Sequence, residues 1–397
     1  MFSFFETFCQ QPGFETVIVT NSVALHPGIL DVDRDGSKDI VVVDDYTDKD
    51  GNDGTNLKTI CWFSQSGKKG GGGFRRNIIS MMNFRSCGID FADIDNDGYT
   101  DIIGRKDTDA DDFNDTGNIF WLRNPFGSEK IAGEKWQEFN IGFSTYSKDI
   151  KVSDFNGDRK KDVMVRGVDG CIRVFIQVSP AKWTVFKISV PEHDGSDVAD
   201  IDLDGDQDIV INGLWLEAPG DVESDVWIRH DFAPQWYTRK TGAEGEWFDN
   251  NTRVAVYDID KDSYPDIFIS CAEDSGYKIC WYKNPGRPSR GSWQENIIGD
   301  MDFAHTLRIA DMDNDGDMDV VTGSLSLYND PDPDGYHPVA VFKNIGRGLE
   351  WEKQVISEQG CYGGTTGDID NDGDVDIVAP RNWNRAPLYL WKNLILK

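Results

Sequence analysis

Short apolar runs and acidic turns succeed one another along the whole chain. Thr306-Leu307-Arg308-Ile309-Ala310 alternates polar with apolar positions, as a strand with one buried face does. It enters Asp311-Met312-Asp313-Asn314-Asp315-Gly316-Asp317-Met318-Asp319, and the β-branched run Val320-Val321-Thr322 leads away. The acidic stretch therefore joins two strands. A third strand with an aromatic pair is predicted at Ile279-Cys280-Trp281-Tyr282-Lys283-Asn284-Pro285-Gly286, and an alternating fourth at Ser292-Trp293-Gln294-Glu295-Asn296-Ile297-Ile298. Counterparts are Ile119 to Pro125 with Trp136 to Ile141, and Val341 to Asn344 with Trp351 to Ile356. The Asn-Pro-Gly step supplies turn chemistry between strands three and four. The aromatics recur mid-strand at one place in each repeat, which favours wedge packing in a core over a sugar-stacking ladder.

The acidic turn occurs seven times, with ligand-type residues at its first, third, fifth and ninth positions. The sets are Asp31, Asp33, Asp35, Asp39; Asp93, Asp95, Asp97, Asp101; Asp154, Asn156, Asp158, Asp162; and Asp200, Asp202, Asp204, Asp208. They continue with Asp258, Asp260, Asp262, Asp266; Asp311, Asp313, Asp315, Asp319; and Asp368, Asp370, Asp372, Asp376. Carboxylates at that spacing close around one hard cation, Ca2+ above all, with a backbone carbonyl adding a further oxygen. The expected complement is up to seven Ca2+, one per repeat. No glutamate stands at the twelfth position, so the loop is not a helix-loop-helix site. First aspartates lie 46 to 62 residues apart, a period that means a ring or solenoid of repeats.

On these motifs the chain resembles the FG-GAP or VCBS repeats of integrin α-chain heads and of many secreted microbial and fungal propellers. The resemblance covers nearly the whole chain. It implies an all-β, seven-bladed β-propeller with four-stranded antiparallel blades and calcium in the loops. Arg159 and Ser263 occupy the glycine position in two copies, which implies weaker binding there or a slightly opened turn.

After the last acidic loop only two strands remain, Asp376 to Ala379 and Leu388 to Asn393. Phe14-Glu15-Thr16-Val17-Ile18-Val19 has the fourth-strand pattern and precedes the first inner strand, so it is expected to complete the seventh blade and close the ring. Residues 14–397 then form one domain, and 1–13 a tail whose Phe2, Phe4, Phe5 and Phe8 suit either a packed terminus or a partner contact.

Composition narrows the partners. Hydrophobic residues at 39% suffice for a large core, and the formal charge of −30 is largely owed to the loops. Such a surface disfavours nucleic acid. No apolar run is long enough for a membrane helix, and the N-terminus lacks the basic and apolar regions of a signal peptide. Seven cysteines show no CxxC spacing. Cys271 and Cys280 flank a Ser275-Gly276 turn and suit either a cross-strand disulfide or two buried thiols. Asn114 and Asn250 head N-glycosylation patterns that matter in a secreted eukaryotic protein.

In a four-stranded blade the acidic loop shares its face with the turn between strands three and four. The opposite face carries the irregular connections, and variable loops on a rigid scaffold are the usual seat of binding. A cleft there would gather Trp236, Tyr237, Trp247, Tyr328 and Trp383 as stacking faces, with Asp44, Asp45, Arg105, Asp107, Asp302, Asn382 and Arg385 as polar partners. That mixture suits a glycan. His26 and His305 fall just before inner strands and are expected to point into the central funnel.

Three readings follow: an extracellular propeller that binds a glycan or another surface component, an enzyme, or a protomer of an adhesive assembly. For the second, polysaccharide lyases and a fungal sugar dehydratase have similar repeats. That resemblance implies a base (His26 or His305), an acid (Tyr237 or Tyr328) and a cationic partner (Arg105 or Arg385). No GxSxG, HExxH or phosphate loop is present.

Overall fold

The computed structural model describes residues 13–45, 58–65, 73–82, 88–106, 117–127, 135–145, 147, 149–191, 194–223, 226–238, 251–325, 335–383 and 385–396. They form seven four-stranded antiparallel sheets, each one blade of a propeller. Blade six is representative: Ala304–Ala310 innermost, then Asp319–Ser324, Val339–Asn344 and Trp351–Ser357. The acidic loop joins the first two strands, and Ala310 pairs with Asp319 across it.

Phe14–Thr20 pairs antiparallel with Arg385–Asn393, so the two ends of the chain share blade seven. Val19, Leu388 and Leu390 of that blade pack on Ala24, Ile40 and Phe63 of blade one. The ring is thus closed by backbone pairing and by apolar packing at one seam, which leaves no inner sheet edge open.

The core lies between blades. Phe268 and Trp281 of blade five meet Leu307, Val320 and Phe342 of blade six in one buried cluster. Trp121, Trp215, Trp281 and Trp391 of the third strands are fully buried, so these repeated aromatics fill wedges and offer no face to a ligand. Cys271 and Cys280 are buried thiols. Cys280 opposes Ile269, which sets Cys271 past its reach along the strand, and no disulfide joins them. Among the described residues no helix is long and apolar enough to cross a membrane.

Candidate functional site

The first aspartate of each acidic loop is the turn's own scaffold. In blade five Asp258 accepts the amides of Asp262 (3.0 Å) and Ser263 (2.8 Å), one on each oxygen. Asp200 does the same for Asp204 and Gly205, and Asp154 for Asp158 and Arg159. Arg159 (φ 67°) and Ser263 (φ 78°) thus make the same bond as a glycine, and the turn does not open. They hold a left-handed backbone at a cost of about 1 kcal/mol. The fourth position is left-handed too, at Arg34, Asn96, Leu203, Lys261, Asn314 and Asn371, a demand that the spacing of aspartates did not reveal.

The ninth aspartate ties the loop to the rest of its blade. Asp266 accepts the Ile259 amide on one oxygen and the Asn284 amide, at the end of strand three, on the other. Blades two, three, four, six and seven repeat the pair of bonds at Asp101, Asp162, Asp208, Asp319 and Asp376. Burial, reinforced by the neighbouring loop carboxylates, pushes these acids up: to about 7 at Asp266 and about 8 at Asp208.

The residues fit a hard divalent cation. Asp31, Asp95, Asp202, Asp260 and Asp311 each present a buried oxygen with no hydrogen-bond partner. In the loops of blades one, two, four, five and six, three carboxylates bring oxygens within 4.8 Å of one another. Such a set has the donors that Ca2+ takes, and the ion would satisfy oxygens that nothing else reaches. The end of strand three adds a basic residue the sequence reading missed. Arg123 lies 2.6 Å from Asp95, Lys392 3.2 Å from Asp370, and Lys283 bonds both Asp260 and Asp262.

At the propeller axis the inner strands enclose a cavity of ≈ 320 Å³. His26 and His305 both line it, within inner strands rather than before them. His305 is buried, stacks on Tyr362 with ring centroids 4.1 Å apart, and lies 3.7 Å from Glu273. Arg253 Nη2 reaches its Nε2 at 2.6 Å. That contact occupies the lone pair a general base needs. His26 sits edge-on to Tyr362, centroids 6.5 Å apart, and its Nε2 accepts the Gly88 amide at 3.4 Å. Deeper in the cavity Lys151 bonds Asp197 at 2.9 Å, and Asp90 accepts the Phe91 and Val152 amides.

Comparison with known proteins agrees with this construction. An FG-GAP-like repeat model matches residues 258–322, from the first aspartate of loop five through loop six into the strand beyond it. The chain carries an FG-GAP-like repeat within a seven-bladed β-propeller. Its fold resembles BBS1N chains from two crystal structures of BBS1N in complex with ARL6DN, one soaked with mercury and one with lead. Both are 11% identical to it, with TM-scores of 0.54 and 0.52, and 97% of this chain covers 98% of each. No curated protein matches in sequence.

In this propeller the expected ligand residues do not form one cleft. Asp44 is buried in blade one and bonded by Arg76 Nε at 2.8 Å. Arg105 is buried in blade two, away from the axis cavity. Trp236 is core, its Nε1 donating to the Tyr282 hydroxyl at 2.7 Å. Tyr237 lies under Arg229, its ring centroid 5.0 Å from the guanidinium, and burial followed by the Asp231 carboxylate raises its pKa. It is no neighbour of the histidines. Trp383 packs against the small cluster of Leu25, Leu325 and Tyr362, and Asn382 is buried beside it, accepting the Trp383 amide. Arg385 opens the third strand of blade seven, half-buried. Trp247, Tyr328, Asp107, Asn114, Asn250 and the tail to residue 12 lie outside the described residues, as does the Asp45 side chain.

A different groove, of ≈ 560 Å³, opens on the face away from the acidic loops, between blades five and six. Asp302, exposed, accepts the Gly276 amide there. Tyr277, Tyr336 and His337 are beside it, and Tyr336 is 62% exposed. Tyr336 and His337 follow a loop of irregular length, so the tyrosine's position opposite Asp302 had no signature in the repeat.

Proposed function

We propose that this protein is a calcium-stabilised, noncatalytic binding propeller of the cell exterior, which recognises a glycan or another surface component through the face opposite its acidic loops. The observation that carries the reading is the groove between blades five and six. It combines an exposed tyrosine ring with a carboxylate, lysines and a histidine, and a pyranose offers an apolar face to such a ring and hydroxyls to such polar groups. The acidic loops are engaged in holding the backbone, which leaves the opposite face free for a ligand. Outside the cell, abundant free calcium would keep those loops filled. The test is binding of the calcium-loaded protein to a glycan array. Saturable binding that Tyr336→Ala weakens supports the reading; no glycan bound at any loop occupancy defeats its glycan form.

A second reading is catalytic. The convergence of His26, His305, Tyr362 and Arg253 on one cavity favours it, since a lyase or dehydratase needs a base and a cation beside the same carbon. Of the two, His26 holds its Nε2 partner less closely, the Gly88 amide at 3.4 Å against the Arg253 guanidinium at 2.6 Å on His305. New ultraviolet absorbance from an unsaturated product on incubation with acidic polysaccharides would decide for it. A third role, as a protein-binding protomer, draws support from BBS1N, a propeller of similar fold crystallised in complex with ARL6DN.

A further inference from the structure

The axis cavity is lined by a cation, Arg308, that forms no ion pair among the described residues; Asp197 and Asp90 act on it only from a distance. Three residues before the first aspartate of their loops, Asp90, Lys151, Asp197 and Arg308 occupy equivalent places in blades two, three, four and six. Lys151 and Asp197 satisfy each other. Both oxygens of Asp90 accept backbone amides, and the second oxygen of Asp197 accepts the Val256 amide. Asp149, one layer outward, accepts the Gly195 amide at 2.7 Å. The carboxylates are therefore committed to neighbouring blades.

Arg308 is not so committed. Its one hydrogen bond within the protein goes to the carbonyl of Leu307, its own neighbour, and among the described residues no carboxylate lies within ion-pair distance. Arg253 shares the cavity and likewise has no acidic partner; its bonds go to the Thr252 carbonyl and to His305. Enclosure in the protein, then repulsion from Arg253, lowers the pKa of Arg308, although the residue is half-buried and lines the cavity. In a chain of formal charge −30 two such guanidiniums at one void are out of keeping with their surroundings.

We propose that the axis cavity binds a small oxyanion, a carboxylate or a phosphate, held by Arg308 with Arg253 beside it. A guanidinium's planar fork matches either group, and the open N–H groups of Arg308 would bond its charged oxygens. The cavity of ≈ 320 Å³ admits such a group with a modest organic body, against which the Tyr362 ring could pack. The site is separate from the groove between blades five and six, so the two ideas fail independently.

Calorimetric titration of the calcium-loaded full chain, dialysed free of excess calcium, tests this with sodium acetate, sulfate and phosphate against sodium chloride at matched ionic strength. Saturable binding of at least one oxyanion is expected, weakened about tenfold or more in Arg308→Gln, and less in Arg308→Lys. Preference for acetate would assign a carboxylate; preference for phosphate or sulfate, a tetrahedral ion. Arg308→Gln is also expected to melt no lower than the parent without added anion, because it removes a charge that forms no ion pair. Oxyanion binding no better than chloride, or equal in Arg308→Gln, overturns the proposal. Should that variant fail to fold, Arg253→Gln supplies the same comparison from the other guanidinium.

Discussion

Asn393 Nδ2 donates to the carbonyl of Met312 at 2.7 Å, crossing from the third strand of blade seven to the acidic loop of blade six. Asn124 reaches Val32, Gln177 reaches Ile94 and Asn284 reaches Ile201 in the same way, each one blade back. Gln65 reaches Ile369 and so carries the pattern across the seam where the chain ends meet. At Asn124, Gln177, Asn284 and Asn393 the same residue's backbone amide is anchored by the ninth aspartate of its blade, so loop geometry and blade spacing are set there by one short segment.

The first prediction concerns that clasp. Asn284 makes a turn bond, Oδ1 to the Gly286 amide, as well as its bond to Ile201. Asn284→Ala removes both, together with the Nδ2 bond to the Pro265 carbonyl (3.0 Å), and leaves the buried Ile201 carbonyl unanswered. A loss of about 1–3 kcal/mol is expected from denaturant unfolding. An unchanged midpoint would mean that apolar packing alone spaces the blades.

Metal removal should invert the pH dependence of stability. Without cations the ninth aspartates are raised, Asp266 to about 7 and Asp208 to about 8, by burial and then by their neighbours. An acid raised on folding contributes stability that is full below its unfolded value and is lost as pH climbs through its folded value. Chelated protein is therefore expected to melt higher near pH 5 than near pH 8. With calcium the order reverses, because protons compete with the ion for the same oxygens. Melting curves across pH with chelator and with calcium check both signs.

The loops, the strand order and the ring closure were legible because they repeat: one acidic spacing, one aromatic strand, one missing outer strand. The turn role of the Asn-Pro step was legible for the same reason, since Asn124 and Asn284 do accept the amide two residues on. Their reach to the preceding blade was not, because the partner carbonyl lies a whole repeat or more upstream and carries no side-chain signal. The central cavity was hidden differently. Its layer is charged in some blades and small in others, as Arg308 and Gly28 illustrate, so no motif marks it; aligning the loops and reading three residues back would have brought Asp90, Lys151, Asp197 and Arg308 together. Trp236 and Asp44 were misleading because exposure of a loop aromatic or acid depends on which neighbour covers it, here Tyr282 and Arg76.

If the loops take calcium as proposed, Lys283 should make loop five a weaker site than loop four. Its ammonium bonds Asp260 and Asp262, so a cation entering loop five must displace a charge already there, whereas blade four has Glu217 before Ala218 at the matching place. Lys283→Gln is expected to tighten the weakest calcium step by up to about tenfold. Calorimetric calcium titration of parent and variant reads it, and an unaltered isotherm would show that the lysine swings clear at no cost.

Tyr336 offers the sharpest separation of binding from folding. At 62% exposed it contributes little to the core, so Tyr336→Ala should leave the melting temperature within the scatter of surface substitutions. Its ring nevertheless forms one wall of the groove that holds Asp302 and His337. Loss of a stacking face is worth about 0.5–1.5 kcal/mol, a few-fold to about tenfold in affinity. Asp302→Asn, which keeps an oxygen to accept the Gly276 amide but removes the charge, distinguishes a neutral ligand from a cationic one. A glycan should lose affinity in the tyrosine variant far more than in the asparagine variant; the reverse order would point the groove at a basic peptide.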